Sequence, residues 1–96
     1  MPHLIVTPPA LADLRRLAQF LKDKNPRAAE RATFAIREQI RLLVSSPGLG
    51  RPVQDSTLRE LIIPFADSGY VVLYEFDRAA DQIRIAAVRH QREAGY

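Results

Sequence analysis

Apolar residues along this chain change period midway. In the first half they recur every three or four residues, and in the last third every second residue. Leu11, Leu14, Leu17, Ala18 and Leu21 predict an amphipathic helix that closes near Lys24. Ahead of it, His3-Leu4-Ile5-Val6 predicts a short strand. Pro9 suits the first position of the helix, where its missing N–H would be unpaired anyway. Asn25-Pro26 stops one helix and starts another, Asn25 as cap and Pro26 as opener. The second stripe is Ala29, Ala32, Ile36, Ile40, Leu43 and Val44. A connection this short predicts an antiparallel helical hairpin. Phe34 falls off the stripe and is expected to pack against another element.

Ser45-Ser46-Pro47-Gly48-Leu49-Gly50-Arg51-Pro52 breaks the second helix. Three strands are expected after it. The first spans Leu58–Ile63 and is stopped by Pro64. The second spans Tyr70–Asp77, with Tyr70, Val72, Tyr74 and Phe76 on one face. The third spans Gln82–Arg89, with Ile83, Ile85 and Ala87 on one face and Arg84, Ala86, Val88 and His90 on the other. The Asp77–Asp81 segment joins the last two as a hairpin. The order β-α-α-β-β-β predicts an α+β fold: an antiparallel sheet with the helical hairpin on one face.

Composition narrows the possibilities. Ninety-six residues fit one small domain over 1–96, with a modest core and no deep cofactor cavity. There is no cysteine, which excludes disulfides and thiolate chemistry and fits a cytoplasmic setting. With only His3 and His90 besides, no metal and no cofactor are expected. Asp13, Arg15 and Arg16 interrupt the first twenty residues, so neither a signal peptide nor a membrane span is expected there. The net charge is +3, and residues 1–48 hold eight of the 14 basic residues against four of the 11 acidic ones. This excess is either a solvated helix surface or an attraction for an acidic partner. The Gly48-Leu49-Gly50 run lacks a third glycine and precedes no helix, so it is not a phosphate cradle. Ser45, Ser46, Ser56 and Ser68 are expected in loops with no histidine near enough to activate them.

The residues with chemistry to offer gather at the end of the last strand: Arg89-His90-Gln91-Arg92-Glu93-Ala94-Gly95-Tyr96. His90 is either an acid/base or target contact, or a strand-end histidine bonded within the tail. Arg59 is either an anion contact or half of a cross-strand pair, with Glu75 for example. Arg51 either bonds loop carbonyls or meets a partner. Arg92, Glu93 and Tyr96 either fray or form an ion pair that positions the tail.

Six pieces, in order, resemble the RelE/ParE toxins over nearly the whole length. They are Ala10-Leu11-Ala12-Asp13-Leu14, Asn25-Pro26-Arg27-Ala28-Ala29, Pro47-Gly48-Leu49-Gly50-Arg51-Pro52, Leu58-Arg59-Glu60-Leu61, Tyr70-Val71-Val72-Leu73-Tyr74 and Val88-Arg89-His90-Gln91-Arg92-Glu93. The ending is most similar to the ParE branch. The resemblance implies the toxin of a bacterial type II toxin–antitoxin pair. ParE-type members poison DNA gyrase, and RelE-type members cleave mRNA on the ribosome. Only Lys22 and Lys24 are lysines, both at the end of the first helix, so the sheet lysines usual in the nuclease branch are missing, and the gyrase reading is preferred. The alternatives are a ribosome-dependent endoribonuclease using His90, Arg59 and Arg92, or a regulatory module without toxicity. Under the preferred reading Arg59, Arg89, His90, Arg92, Glu93 and Tyr96 contact the target, and catalysis is not expected. A ParD-like ribbon-helix-helix antitoxin would meet Arg15, Arg16, Arg31 and Arg37 through an acidic segment. Operator DNA would be reached only through that antitoxin, and no membrane is involved.

Overall fold

The computed structural model describes residues 1–93. Strand β1 (His3–Val6) leads into helix α1 (Pro8–Lys24), and helix α2 (Pro26–Ser45) follows at once. Local chemistry sets these limits. The Thr7 hydroxyl accepts the Ala10 N–H at 3.3 Å and caps α1, with proline in the first turn. Asn25 serves both helices. Its N–H donates to the Leu21 carbonyl, closing α1, and its side chain accepts the Ala28 N–H, opening α2. With one residue between them the helices must fold back on each other.

The second half forms β2 (Arg51–Pro52), β3 (Arg59–Phe65), β4 (Ser68–Asp77) and β5 (Gln82–His90). The five strands make one sheet in the order β1-β5-β4-β3-β2. The α+β class and the antiparallel pairing of β3, β4 and β5 are as the alternation predicts. The sheet as a whole is mixed, because β1 lies parallel to β5. That follows from connectivity: the α1–α2 hairpin and three further strands separate β1 from β5, so no tight turn fixes their direction. Strand β2 is an addition the sequence pattern does not announce. Pro64 does not stop β3, which runs on to Phe65. Past Glu60 the outer side of β3 has no strand beside it among the described residues, so a residue without an N–H is tolerated there.

Both helices pack on one face of the sheet. Leu17, Ala32, Ile36, Ile40 and Leu43 meet Leu61, Ile63, Tyr70, Val72, Tyr74, Ile83, Ile85 and Val88. Phe34 is not packed against another element as expected. It points away from the stripe and is 64% exposed.

One irregularity decides the site. Leu73 pairs with Ala87, but Tyr74 pairs with Ile85, so Ala86 is an extra residue in β5. A bulge of one residue reverses every side chain beyond it. Val88 and His90 therefore share the helix-covered face with Ile83 and Ile85. Ala87 and Arg89 turn to the other face. This corrects the strict alternation expected of the sequence, which put Val88 and His90 opposite Ile83.

Candidate functional site

Because of the bulge, His90 reaches the space beside α1. It pairs in register with Tyr70, and the two rings meet edge to face with centroids 5.5 Å apart. Arg16, Leu17, Phe20, Leu21 and Lys24 of α1 face them, with Arg92 and Glu93 of the tail, around a cleft of about 500 Å³. The floor is apolar and the rim is charged. Lys24 Nζ lies 4.4 Å from the centre of the Phe20 ring.

The tail is fastened rather than frayed as far as Glu93. Its carboxylate takes Arg16 Nη1 at 2.8 Å and the His90 N–H at 3.2 Å. Burial pushes the Glu93 carboxyl up. The Arg16 guanidinium and the His90 N–H outweigh it and hold the carboxyl below its usual range. The same pair raises Arg16 above its ordinary value. Tyr70 is raised too, first by burial and then by the Glu93 charge.

Both ring nitrogens of His90 are engaged. The Arg92 N–H donates to Nδ1 at 3.1 Å, and Nε2 lies 3.0 Å from Ser68 Oγ. A backbone N–H can only donate, so the neutral ring carries its proton on Nε2 and donates to Ser68. Ser68 was expected to have no histidine nearby, and the β4–β5 pairing that sets Tyr70 beside His90 brings the two together. The tautomer nevertheless leaves no lone pair to activate the hydroxyl as a nucleophile.

The other sequence candidates scatter. Arg59 pairs with Tyr74, four residues along β4 from Tyr70, hence roughly 13 Å from His90 along the strand direction alone. Its Nη1 donates to the Gly50 carbonyl at 2.7 Å, and Glu75 pairs instead with Arg84. Gly50 is held from the other side by Tyr74, whose hydroxyl accepts the Gly50 N–H at 2.8 Å and donates to the Pro47 carbonyl at 2.7 Å. A β-carbon on residue 50 would meet the Tyr74 ring at 2.7 Å, so the approach needs glycine. Arg51 bonds the Glu60 carboxylate rather than loop carbonyls. Arg89 is exposed on the face opposite His90. The Arg92 guanidinium lies 3.6 Å from Asp67, both well exposed. Tyr96 lies outside the described residues.

Of the four arginines expected to meet a partner, Arg15 and Arg37 line the outer groove between the helices, with Ala18, Ala29 and Phe34. Arg31 is exposed but outside that groove. Arg16 turns to the tail. The sequence pattern also missed Asp13, whose carboxylate accepts the Val88 N–H at 2.9 Å. Nothing in a helix stripe marks a residue whose partner is 75 positions away. Among the described residues no three His, Cys, Asp or Glu side chains gather to hold a metal. No helix among them is long and apolar enough to cross a membrane.

Residues 4–95 match the family model described as the ParE toxin of the type II toxin–antitoxin system parDE. The chain belongs to the ParE toxin family. Among curated relatives, Toxin RelE3 of Caulobacter vibrioides is 35% identical over 93 residues, covering 97% of this chain and 98% of the relative. Toxin RelE1 of the same organism is 37% identical over 71 residues, covering 74% and 75%. A solved structure of the chromosomal ParDE toxin–antitoxin system of P. aeruginosa superposes with a TM-score of 0.77 at 25% identity, over 94% of this chain and 96% of that one. The intact RelBE complex of E. coli shares the fold, with a TM-score of 0.64 at 13% identity over 93% and 95%. The architecture is therefore that of the RelE/ParE toxins, and the molecule is the toxin of a type II toxin–antitoxin system. For a ParE-family toxin, the fastened tail and its cleft are the features with chemistry to explain.

Proposed function

We propose that this ParE-family toxin blocks growth by binding DNA gyrase through its C-terminal tail, with no catalysis of its own. One observation carries this reading: the groups an RNA-cleaving site would need do not converge. Cleavage by 2′-hydroxyl attack needs a base, an acid and cations around one phosphate. His90 spends both ring nitrogens inside the protein, Arg59 lies far along the sheet on the Gly50 carbonyl, and Arg92 stands at the surface beside Asp67. What remains is a binding surface: His90, Arg92 and Glu93 on the cleft rim and Arg89 on the other face of the same strand end, with Tyr96, outside the described residues, proposed as a further contact.

The partner that neutralises it is an antitoxin of ParD type. The P. aeruginosa and E. coli neighbours are toxin–antitoxin systems. The groove between α1 and α2, with Arg15, Lys22 and Arg37 around Phe34 and the small Ala18 and Ala29, suits an acidic amphipathic helix. Arg31 sits beside it on the same exposed helix surface.

Induction in cells lacking the antitoxin tests the target. Gyrase poisoning gives SOS induction, filamentation and cleaved supercoiled DNA, and His90→Ala with Arg92→Ala weakens all three. Rapid translational arrest with mRNA cut within codons would overturn the proposal.

A further inference from the structure

Strand β5 outlasts the strand beside it. β1 pairs only as far as Val6 with Ile85, so from Ala86 to His90 the outer edge of β5 has no strand partner among the described residues. Backbone groups there still need partners, and an open edge invites other chains. At the end of the pairing the Ile85 carbonyl takes both the Thr7 N–H at 3.2 Å and the Thr7 hydroxyl at 2.8 Å. Beyond it side chains supply the partners. Asp13 Oδ2 accepts the Val88 N–H at 2.9 Å, and Glu93 Oε1 accepts the His90 N–H at 3.2 Å. Arg16 stands between the two carboxylates. Its Nη2 is 3.7 Å from Asp13 Oδ1, and its Nη1 is 2.8 Å from Glu93 Oε2. Two carboxylates on one guanidinium thus continue the edge that β1 leaves, across the stretch that the Ala86 bulge has reversed.

We propose that Asp13 and Arg16 are positioning residues for the toxic surface. They fix Val88–Glu93 so that His90 and Arg92 are presented beside α1. The inference rests on the tail being the surface that acts. Neither residue need touch the target. Asp13 is half-buried under the strand, and Arg16 is already committed to the two carboxylates. A merely structural bond between helix and sheet would differ in one respect: its loss would loosen the whole sheet, not the edge beyond Ile85.

Residue-resolved amide exchange and growth inhibition, measured on the same variants, separate the two. Asp13→Ala raises exchange at Val88 and His90 about tenfold or more, while Val72 and Leu73 of β4 keep their protection. Growth inhibition in cells without the antitoxin falls with it. Asp13→Asn keeps a side-chain carbonyl for the Val88 N–H and recovers both readouts in large part. Arg16→Gln frees Glu93, raises exchange at His90 more than at Val88, and weakens inhibition. Arg16 is half exposed, so this variant carries the test if Asp13→Ala does not fold. The proposal is overturned if exchange rises uniformly across the sheet, or if the edge loosens while growth inhibition stays complete. Growth inhibition does not presuppose gyrase. If the variants lose it although wild-type toxin leaves purified gyrase untouched, the gyrase reading fails and the positioning role stands.

Discussion

Deleting Ala86 should leave the protein folded, although the residue lies in the middle of a buried strand. The register makes it the unpaired residue: Ile85 already pairs with Tyr74 and Ala87 with Leu73. Without Ala86 these pairs become consecutive, Ile83, Ile85, Val88 and His90 keep the helix-covered face, and no core side chain moves. Losing one ordered residue removes a conformational cost of about 1–2 kcal/mol. Against this stand the added twist of the bulge and the weak Thr7 contact to the Ala86 carbonyl at 3.5 Å. The two nearly offset, and Tm should move by no more than roughly 4–8 °C, the shift that 1 kcal/mol gives a domain of this size. Deleting Arg84 is the control. Its side chain is a surface partner of Glu75 and contributes little. Its removal, however, carries the fully buried Ile83 off the core face, at a cost of about 2–5 kcal/mol. Thermal melting followed by circular dichroism compares the two, and a nuclear Overhauser contact between the Tyr70 and His90 rings reports the face. If the Ala86 deletion melts as low as the Arg84 deletion, or loses the ring contact, the bulge has been misassigned and the placement of His90 falls with it.

Other substitutions test the scaffold. Tyr74→Phe leaves the buried Gly50 N–H without its acceptor and should cost about 1–3 kcal/mol, read as a lower denaturant midpoint. Ile40→Ala should cost about 2–5 kcal/mol, and Leu14→Ala less, because Leu14 is only half-buried; equal losses would contradict the packing. The depressed Glu93 carboxyl stabilises the fold while it is ionised. That contribution is fully present above the ordinary glutamate pKa of ~4.3 and lost as the pH falls through the lower folded value. Glu93 is more than a third exposed, so about 0.2–1 kcal/mol is at stake. Glu93→Gln should therefore lower Tm at pH 7 but hardly at pH 2, and an equal effect at both would show that the charge is not involved.

The helical half was readable because one residue type fixed each boundary. Asn25 and Pro26 announce the turn, and leucines and isoleucines at helical spacing announce the buried side. The strands were readable by alternation up to Ile85. Beyond it the pattern misled, because Ala86 and Ala87 are adjacent and identical, and neither tells which one the sheet leaves unpaired. The parallel pairing of β1 was hidden for a different reason: a four-residue strand with three apolar residues carries no mark of direction. Half of the site was equally hidden. His90, Arg92 and Glu93 stood out as a charged strand end, but Asp13, Phe20 and Ser68 acquire their roles only from neighbours distant in the chain.

Supercoiling of relaxed plasmid by purified gyrase, titrated with this toxin and with the His90→Ala, Arg92→Ala double variant, tests the central claim most directly. The account predicts inhibition by the wild type, with cleaved DNA accumulating, and a marked loss of potency in a variant that keeps its Tm. Unimpaired supercoiling at every toxin concentration, with ribosome-bound mRNA cleaved by the same preparation, would contradict it.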